Sequence, residues 1–146
     1  MTEEYIVRAI LYYTKEHTWA RIMSDGNVMS GITDYAQRRL GNITYVELPE
    51  VGCDVKQMQP LGSIESAKSV SDIYSTISGK VKEVNNKVVK DPSLINRDPY
   101  DLGWLVLVKP LRLEEEIKNL MEAETYSELI KSKRVDIEDK DHLPVN

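Results

Sequence analysis

Leu61-Gly62-Ser63-Ile64-Glu65-Ser66-Ala67-Lys68-Ser69-Val70-Ser71-Asp72-Ile73-Tyr74-Ser75-Thr76-Ile77-Ser78 is the stretch on which the reading of this chain turns. Two strand-like runs, Leu61 to Ile64 and Val70 to Tyr74, flank a small, polar join in which the one long cationic side chain is Lys68. Apolar residues at 70, 73, 74 and 77 mix with Ser and Asp as in a half-buried strand, so the segment predicts a hairpin holding Lys68 outward. No glycine occupies the turn, which leaves its type open. A lysine on a loop is ordinarily just a solvated charge. At a hairpin tip between small residues, however, a primary amine on a flexible stem is well placed for acylation, which removes its charge and extends its reach. Ser66, Ala67 and Ser69 read as small neighbours that leave such an arm uncrowded. Glu65 and Asp72 flank the turn, either as part of what partners meet or as acids that keep strand edges soluble.

The bulk properties narrow the class. At 146 residues and 41% hydrophobic, the chain suits one domain with its own core. Its net charge of −5, with no basic run longer than Arg38-Arg39, argues against nucleic acid as a partner. Cys53 is the single cysteine, without a CxxC or a neighbouring histidine, so a reducing, cytoplasmic setting is expected and no metal site is. MTEEYIVRAI opens with acids and has too short an apolar run for a signal peptide or membrane helix, so no membrane role is expected. With Tyr 8, Trp 2 and Phe 0, every such ring in the core must also find a partner for its polar atom.

Outward from the hairpin, short strands come first and helices last. Residues 1-11 form an N-terminal extension, apolar enough at Ile6, Val7, Ala9, Ile10 and Leu11 to lie on the body as an extra strand or short helix. Tyr12 to Ile22 and Val28 to Ile32 read as strands around a Ser24-Asp25-Gly26-Asn27 turn. Thr33 is a good N-cap for a helix through Leu40, and Gly41 a good stop. Ile43 to Leu48 predicts a strand, Val51 to Val55 a turn and short strand, and Lys80 to Val84 an alternating strand with its valines inward. Asn85 to Pro99 reads as loop, Trp104 to Val108 as a buried strand, and the segment after Leu113 as two helices. A charged tail, 134-146, is expected to be loose. The pattern indicates a mainly β fold with α additions, a flattened β-sandwich or barrel with C-terminal helices.

Glu65-Ser66-Ala67-Lys68-Ser69-Val70-Ser71-Asp72-Ile73-Tyr74 resembles the lipoyl-attachment signature of the glycine cleavage system H proteins. Further segments fall in that family's order: Tyr13 to Trp19, Gly31 to Gln37, Val46 to Gly52, Ser78 to Val81, Glu83 to Asn85, Leu94 to Asn96, Asp98 to Tyr100 and Gly103-Trp104. The resemblance implies a lipoyl-domain-like fold, a barrel-sandwich hybrid, over 12-133, with lipoate covalently attached to Lys68. It implies a carrier rather than an enzyme; the residues agree, since no nucleophile and base stand together in a recognisable motif. The implied partners are a pyridoxal-phosphate glycine decarboxylase, a tetrahydrofolate-dependent aminomethyltransferase, dihydrolipoyl dehydrogenase and a lipoylating enzyme. An aminomethyl group and electrons would pass among the first three.

In such carriers the loaded arm is thought to fold into a surface cleft, and the resemblance assigns His17, Thr18 and Tyr35 to it. Here Thr18 stands where an acid is common and Tyr35 where many members have His; His17 reads equally as a packing histidine. Those departures keep open an H-like lipoate-binding protein of sulfur oxidation with heterodisulfide-reductase-like complexes. A third reading is an interaction domain with Lys68 unmodified. Biotin carriers place methionines beside the lysine, where this chain has Ala67 and Ser69.

Overall fold

The structure, a computed structural model, describes residues 4–142, with side chains described from residue 4 to residue 132. Seven strands form one antiparallel sheet: β1 (Tyr12–Tyr13), β2 (Thr18–Ile22), β3 (Val28–Ile32), β5 (Asp54–Val55), β8 (Gly79–Val84), β9 (Val106–Pro110) and β10 (Met121–Glu122). Their order across the sheet is β10-β1-β2-β3-β9-β8-β5. The second sheet has three strands, β4 (Ile43–Glu47), β6 (Pro60–Ser66) and β7 (Val70–Tyr74), in the order β4-β6-β7. Five α-helices complete the described chain: α1 (Asp34–Leu40), α2 (Asn86–Lys90), α3 (Ser93–Arg97), α4 (Leu113–Glu116) and α5 (Ala123–His142). The sheets remain separate, so this is a flattened sandwich with helical additions and no closed barrel.

Period-two alternation divides the interior into two cores. On one face, Ala20, Val28, Ile32, Val81, Val106 and Val108 pack with Ile43, Val46, Ile64 and Ile73 of the smaller sheet. On the other, Tyr13 and Trp19, paired across β1 and β2, join Leu11, Tyr35, Tyr100, Tyr126 and Ile130. At this end the large sheet is covered on both faces, the second by α5. Gly31 makes the seat for Trp19: a Cβ there would lie 2.8 Å from the indole ring. The polar atoms of Trp19, Tyr13 and Tyr126 find partners. Trp19 Nε1 donates to Pro99 O at 3.0 Å, Tyr13 Oη to Arg8 O at 2.8 Å, and Tyr126 Oη lies 2.7 Å from Thr33 Oγ1.

Several expectations are corrected. Asn85 to Pro99 is not loop: Asn85 Oδ1 accepts from Lys87 N–H at 3.2 Å, starting α2, and Val88 and Ile95 bury one face of α2 and α3. Lys80 to Val84 does not alternate cleanly. A bulge between Val81 and Glu83 lets Val81 and Val84, three apart, both turn inward. The extension does lie on the body, but residues 4–10 form neither strand nor helix. Single hydrogen bonds hold it instead, from Ile6 N–H to Asp34 Oδ2 and from Arg8 N–H to Tyr13 Oη. Of the expected loose tail, the backbone to His142 continues α5, and residues 143–146 lie outside the described residues. β10, missed in the sequence, is a two-residue strand against β1.

Burial pushes the Tyr13 hydroxyl up to about 12 from an ordinary 10.0, and pushes Tyr100 and Tyr126 up as well. The folded state therefore holds these protons more tightly than the unfolded chain. Their contribution to stability is whole below pH 10 and is lost above it, that of Tyr13 as pH rises through about 12. The urea midpoint should fall from pH 9 to pH 12 by an amount that shrinks in Tyr13→Phe, as followed by circular dichroism.

Candidate functional site

Lys68 stands at the tip of the β6–β7 hairpin. Ser66 N–H donates to Ser69 O at 2.8 Å, closing a two-residue loop of Ala67 and Lys68. Neither residue takes a positive φ, so the loop is not one of the primed turns that call for glycine. The Ser66 side chain holds it instead: Oγ accepts from Ser69 N–H at 3.2 Å and from Lys68 N–H at 3.4 Å. Ser66 thus organises the turn, a role its small size alone did not reveal. Ala67, Lys68 and Ser69 are exposed, and among the described residues the Lys68 amine has neither a hydrogen bond nor an ion pair.

The stem of Lys68 leans on the end of α1. A Cβ built on Gly41 would lie 3.4 Å from Lys68 Cε and 3.8 Å from Nζ. Gly41 caps α1 at φ +81°, its N–H donating to Gln37 O at 3.0 Å, in a conformation that favours glycine. Asn96 on α3 fixes this corner. Its Nδ2 donates to Gly41 O at 2.8 Å and to Gln37 Oε1 at 2.9 Å, while its Oδ1 accepts from Ile43 N–H at 3.0 Å. Asn96 lies in a matched segment, yet its part in backing the lysine was invisible once that segment was read as loop.

Pairing sets the surroundings of the tip. Tyr45 lies opposite Glu65, and Glu65 opposite Val70, so the three form a row across β4, β6 and β7 on the face away from buried Ile64. Asp72, opposite Ser63, is on the same outer face. Tyr45 is 50% exposed and Val70 68%. The two acids therefore share one surface beside the lysine with two exposed apolar side chains.

His17 and Tyr35 meet at the other end of α1, where their ring centroids are 4.7 Å apart. His17 takes φ +67° at the corner into β2, and its Nδ1 lies 2.9 Å from Tyr126 Oη. Tyr35 is itself buried, with Tyr5 packed edge-on at 4.9 Å. Thr18 does not join them. It is buried within β2, its hydroxyl 2.7 Å from that of Thr14, so it cannot line a surface cleft. Six residue steps, about 9 Å along the axis, lead from Tyr35 to Gly41. Among the described residues there is no cluster of three or more His, Cys, Asp or Glu side chains fit to hold a metal, and no helix long and apolar enough to cross a membrane.

Residues 11–133 match the family model described as glycine cleavage H-protein. The chain belongs to that family. It is 54% identical over 129 residues to a probable glycine cleavage system H protein of Pyrococcus abyssi, covering 88% of this chain and 96% of that one. It is 52% identical over 120 residues to the glycine cleavage system H protein of Geobacillus kaustophilus, covering 82% and 93%. The crystal structure of a glycine cleavage system H protein from Mycobacterium marinum is similar with a TM-score of 0.76 and 38% identity, over 83% of this chain and 96% of that chain. As a glycine cleavage H-protein family member the chain keeps the lysine hairpin, the capped helix behind it and the two-sheet body in one arrangement.

Gly41→Ala should lower stability by about 1 kcal/mol, from the positive φ alone, and, because the new Cβ would only reach ordinary van der Waals contact with the Lys68 stem, slow acylation little. Chemical denaturation measures the first effect and the rate of enzymatic acylation of Lys68 the second. Ser66→Ala should leave global stability within about 1 kcal/mol yet raise amide exchange at Lys68 and Ser69, read by NMR.

Proposed function

We propose that this protein is the lipoyl carrier of a glycine cleavage system, with lipoate in amide linkage to Lys68 Nζ. In that role it moves an aminomethyl group and electrons among glycine decarboxylase, aminomethyltransferase and dihydrolipoyl dehydrogenase. The observation that carries the reading is an exposed amine, free of ion pairs among the described residues, at the tip of a closed turn whose neighbours are Ala67 and Ser69. Those residues fit the group: an acylated lysine there gives up no existing contact and buries no charge. When attached, the dithiolane supplies the reversible redox and group-carrying chemistry, which the Glu, Ser, Ala and Val side chains at this tip do not provide.

The chain's own residues supply position. Ser66 and the Ser66–Ser69 backbone pair hold the turn, and Gly41 backs the lysine stem without blocking it. The row Tyr45, Glu65, Val70, with Asp72 beside it, offers a lipoylating enzyme and the three partners a common face of mixed apolar and acidic character. Docking there need only be brief, because a tether makes each transfer quasi-intramolecular. His17, half-buried and packed on Tyr35, is this chain's contribution to a resting place for the arm along α1; Thr18 and Tyr35, both buried, offer it no surface.

Intact mass of protein from a lipoate-competent host should carry the lipoyl increment, and Lys68→Arg should lack it. An unmodified wild-type mass under those conditions would leave an interaction domain as the reading. With glycine decarboxylase, the modified protein should support exchange of the glycine carboxyl with bicarbonate and Lys68→Arg should not. Full modification without exchange would point to sulfur-carrying chemistry instead.

A further inference from the structure

A wide cleft lies away from Lys68. Some 740 Å³ in volume, it opens at the other end of the hairpin, where β5, β8 and β9 meet. The chain joins the two places directly, since Gln57 N–H donates to Ser78 Oγ just beyond the base pair Pro60–Tyr74. From that base to the tip the hairpin spans about 20 Å. The cleft is therefore a separate surface from the carrier site.

Its charge runs against that of the molecule. The chain carries −5 overall, yet Lys56, Lys80, Lys109 and Arg112 all line this cleft. Acids stand nearby as well, with exposed Glu114 and Glu115 following Arg112 in the first turn of α4. Asp54 pairs with Lys80 at 3.1 Å, and the buried Glu116 carboxylate is taken up by Ser78 N–H and Oγ at 2.6 Å each. Among the described residues Lys56, Lys109 and Arg112 have no ion-pair partner. Pairing keeps the cations together, because Lys80 lies opposite Lys109 across β8 and β9. Like charges placed opposite one another are unfavourable, so sheet stability does not explain them. Apolar residues complete the lining: Val55 and Pro110, one residue out of step with Lys80 and Lys109 and so on the core face of the sheet, and Leu111, which is 69% exposed.

We infer that this cleft is a docking site for an acidic segment of a partner protein, one that sets carboxylates against Lys56, Lys109 and Arg112 and an apolar side chain against Leu111. The volume is that of a ligand site, the unpaired cations supply attraction over about 8 Å at physiological salt, and the exposed leucine supplies an apolar contact that a bare phosphate could not use. A partner held here would be retained while its active site works at the hairpin tip.

The test uses the full-length protein and a fluorescein-labelled peptide of repeating Glu-Glu-Leu, followed by anisotropy. Saturable binding is expected, weakening several-fold as salt rises from about 50 to about 200 mM. The double variant Lys109→Glu/Arg112→Glu should weaken it at least tenfold, and Leu111→Ser about fivefold or more. Lys87→Glu/Lys90→Glu, a matched reversal on α2, should leave it unchanged. Should the first double variant unfold thermally, Lys56→Gln/Arg112→Gln replaces it, with a smaller loss expected. Lys68→Arg should bind the peptide as the wild type does, which separates this site from the carrier function. Absence of saturable binding, or equal loss in the α2 control, would overturn the proposal. So would displacement by inorganic phosphate beyond that of sodium chloride at equal ionic strength, which would mark a small-anion site, or peptide-sensitive dimers in sedimentation, which would make a second copy the occupant.

Discussion

α1 is seven residues long and is held at both ends by groups outside its own hydrogen-bond ladder. At its start Thr33 Oγ1 accepts from Ala36 N–H at 3.2 Å and lies 2.7 Å from Tyr126 Oη, Thr33 N–H donates to His17 O at 3.0 Å, and Asp34 N–H donates to Tyr100 Oη at 3.1 Å. At its end the Asn96 side chain holds Gly41. So short a helix has little stability of its own. These external bonds make it rigid enough to back Lys68 at one end and His17 at the other. A long, exposed side chain on the neighbouring hairpin thus rests against one of the most constrained elements of the fold.

The choice of aromatic residues follows from the same arrangement. A core built with tyrosine in place of phenylalanine has a hydroxyl to satisfy at every ring, and here those hydroxyls are what tie α1, the extension and α5 together. Tyr100 Oη bonds both Asp34 N–H and Ile6 O, and Tyr126 Oη bonds both Thr33 and His17. Among the described residues no buried side-chain nitrogen or oxygen is left without a partner. Such a network favours one geometry over neighbouring ones, because shifting any member exposes a buried polar group at a cost of about 1–3 kcal/mol.

Charge is distributed along the hairpin by function as the proposals read it. Near the tip, Glu65 and Asp72 share the outer face with Tyr45 and Val70; near the base, cations gather in a cleft. Strand register, rather than sequence proximity, assembles both. Tyr45 comes to Glu65 from twenty residues away, and Lys80 to Lys109 from twenty-nine.

Local sequence determined the elements whose signals are short-range: the hairpin with Lys68 at its tip, the Thr33 cap, the Gly41 stop and the strands whose apolar residues alternate. Each depends on a few neighbouring dihedrals or a period of two, which a linear reading can see. It did not disclose that Asn85 to Pro99 coils into two helices, since five-residue helices lack a full amphipathic period and are set by what they pack against. Nor did it show that Thr18 turns inward, that Ser66 ties the turn or that Asn96 braces Gly41. Those were decided by tertiary structure, because each depends on which distant backbone group comes within 3.5 Å of a polar atom, and only the packed sheets fix that.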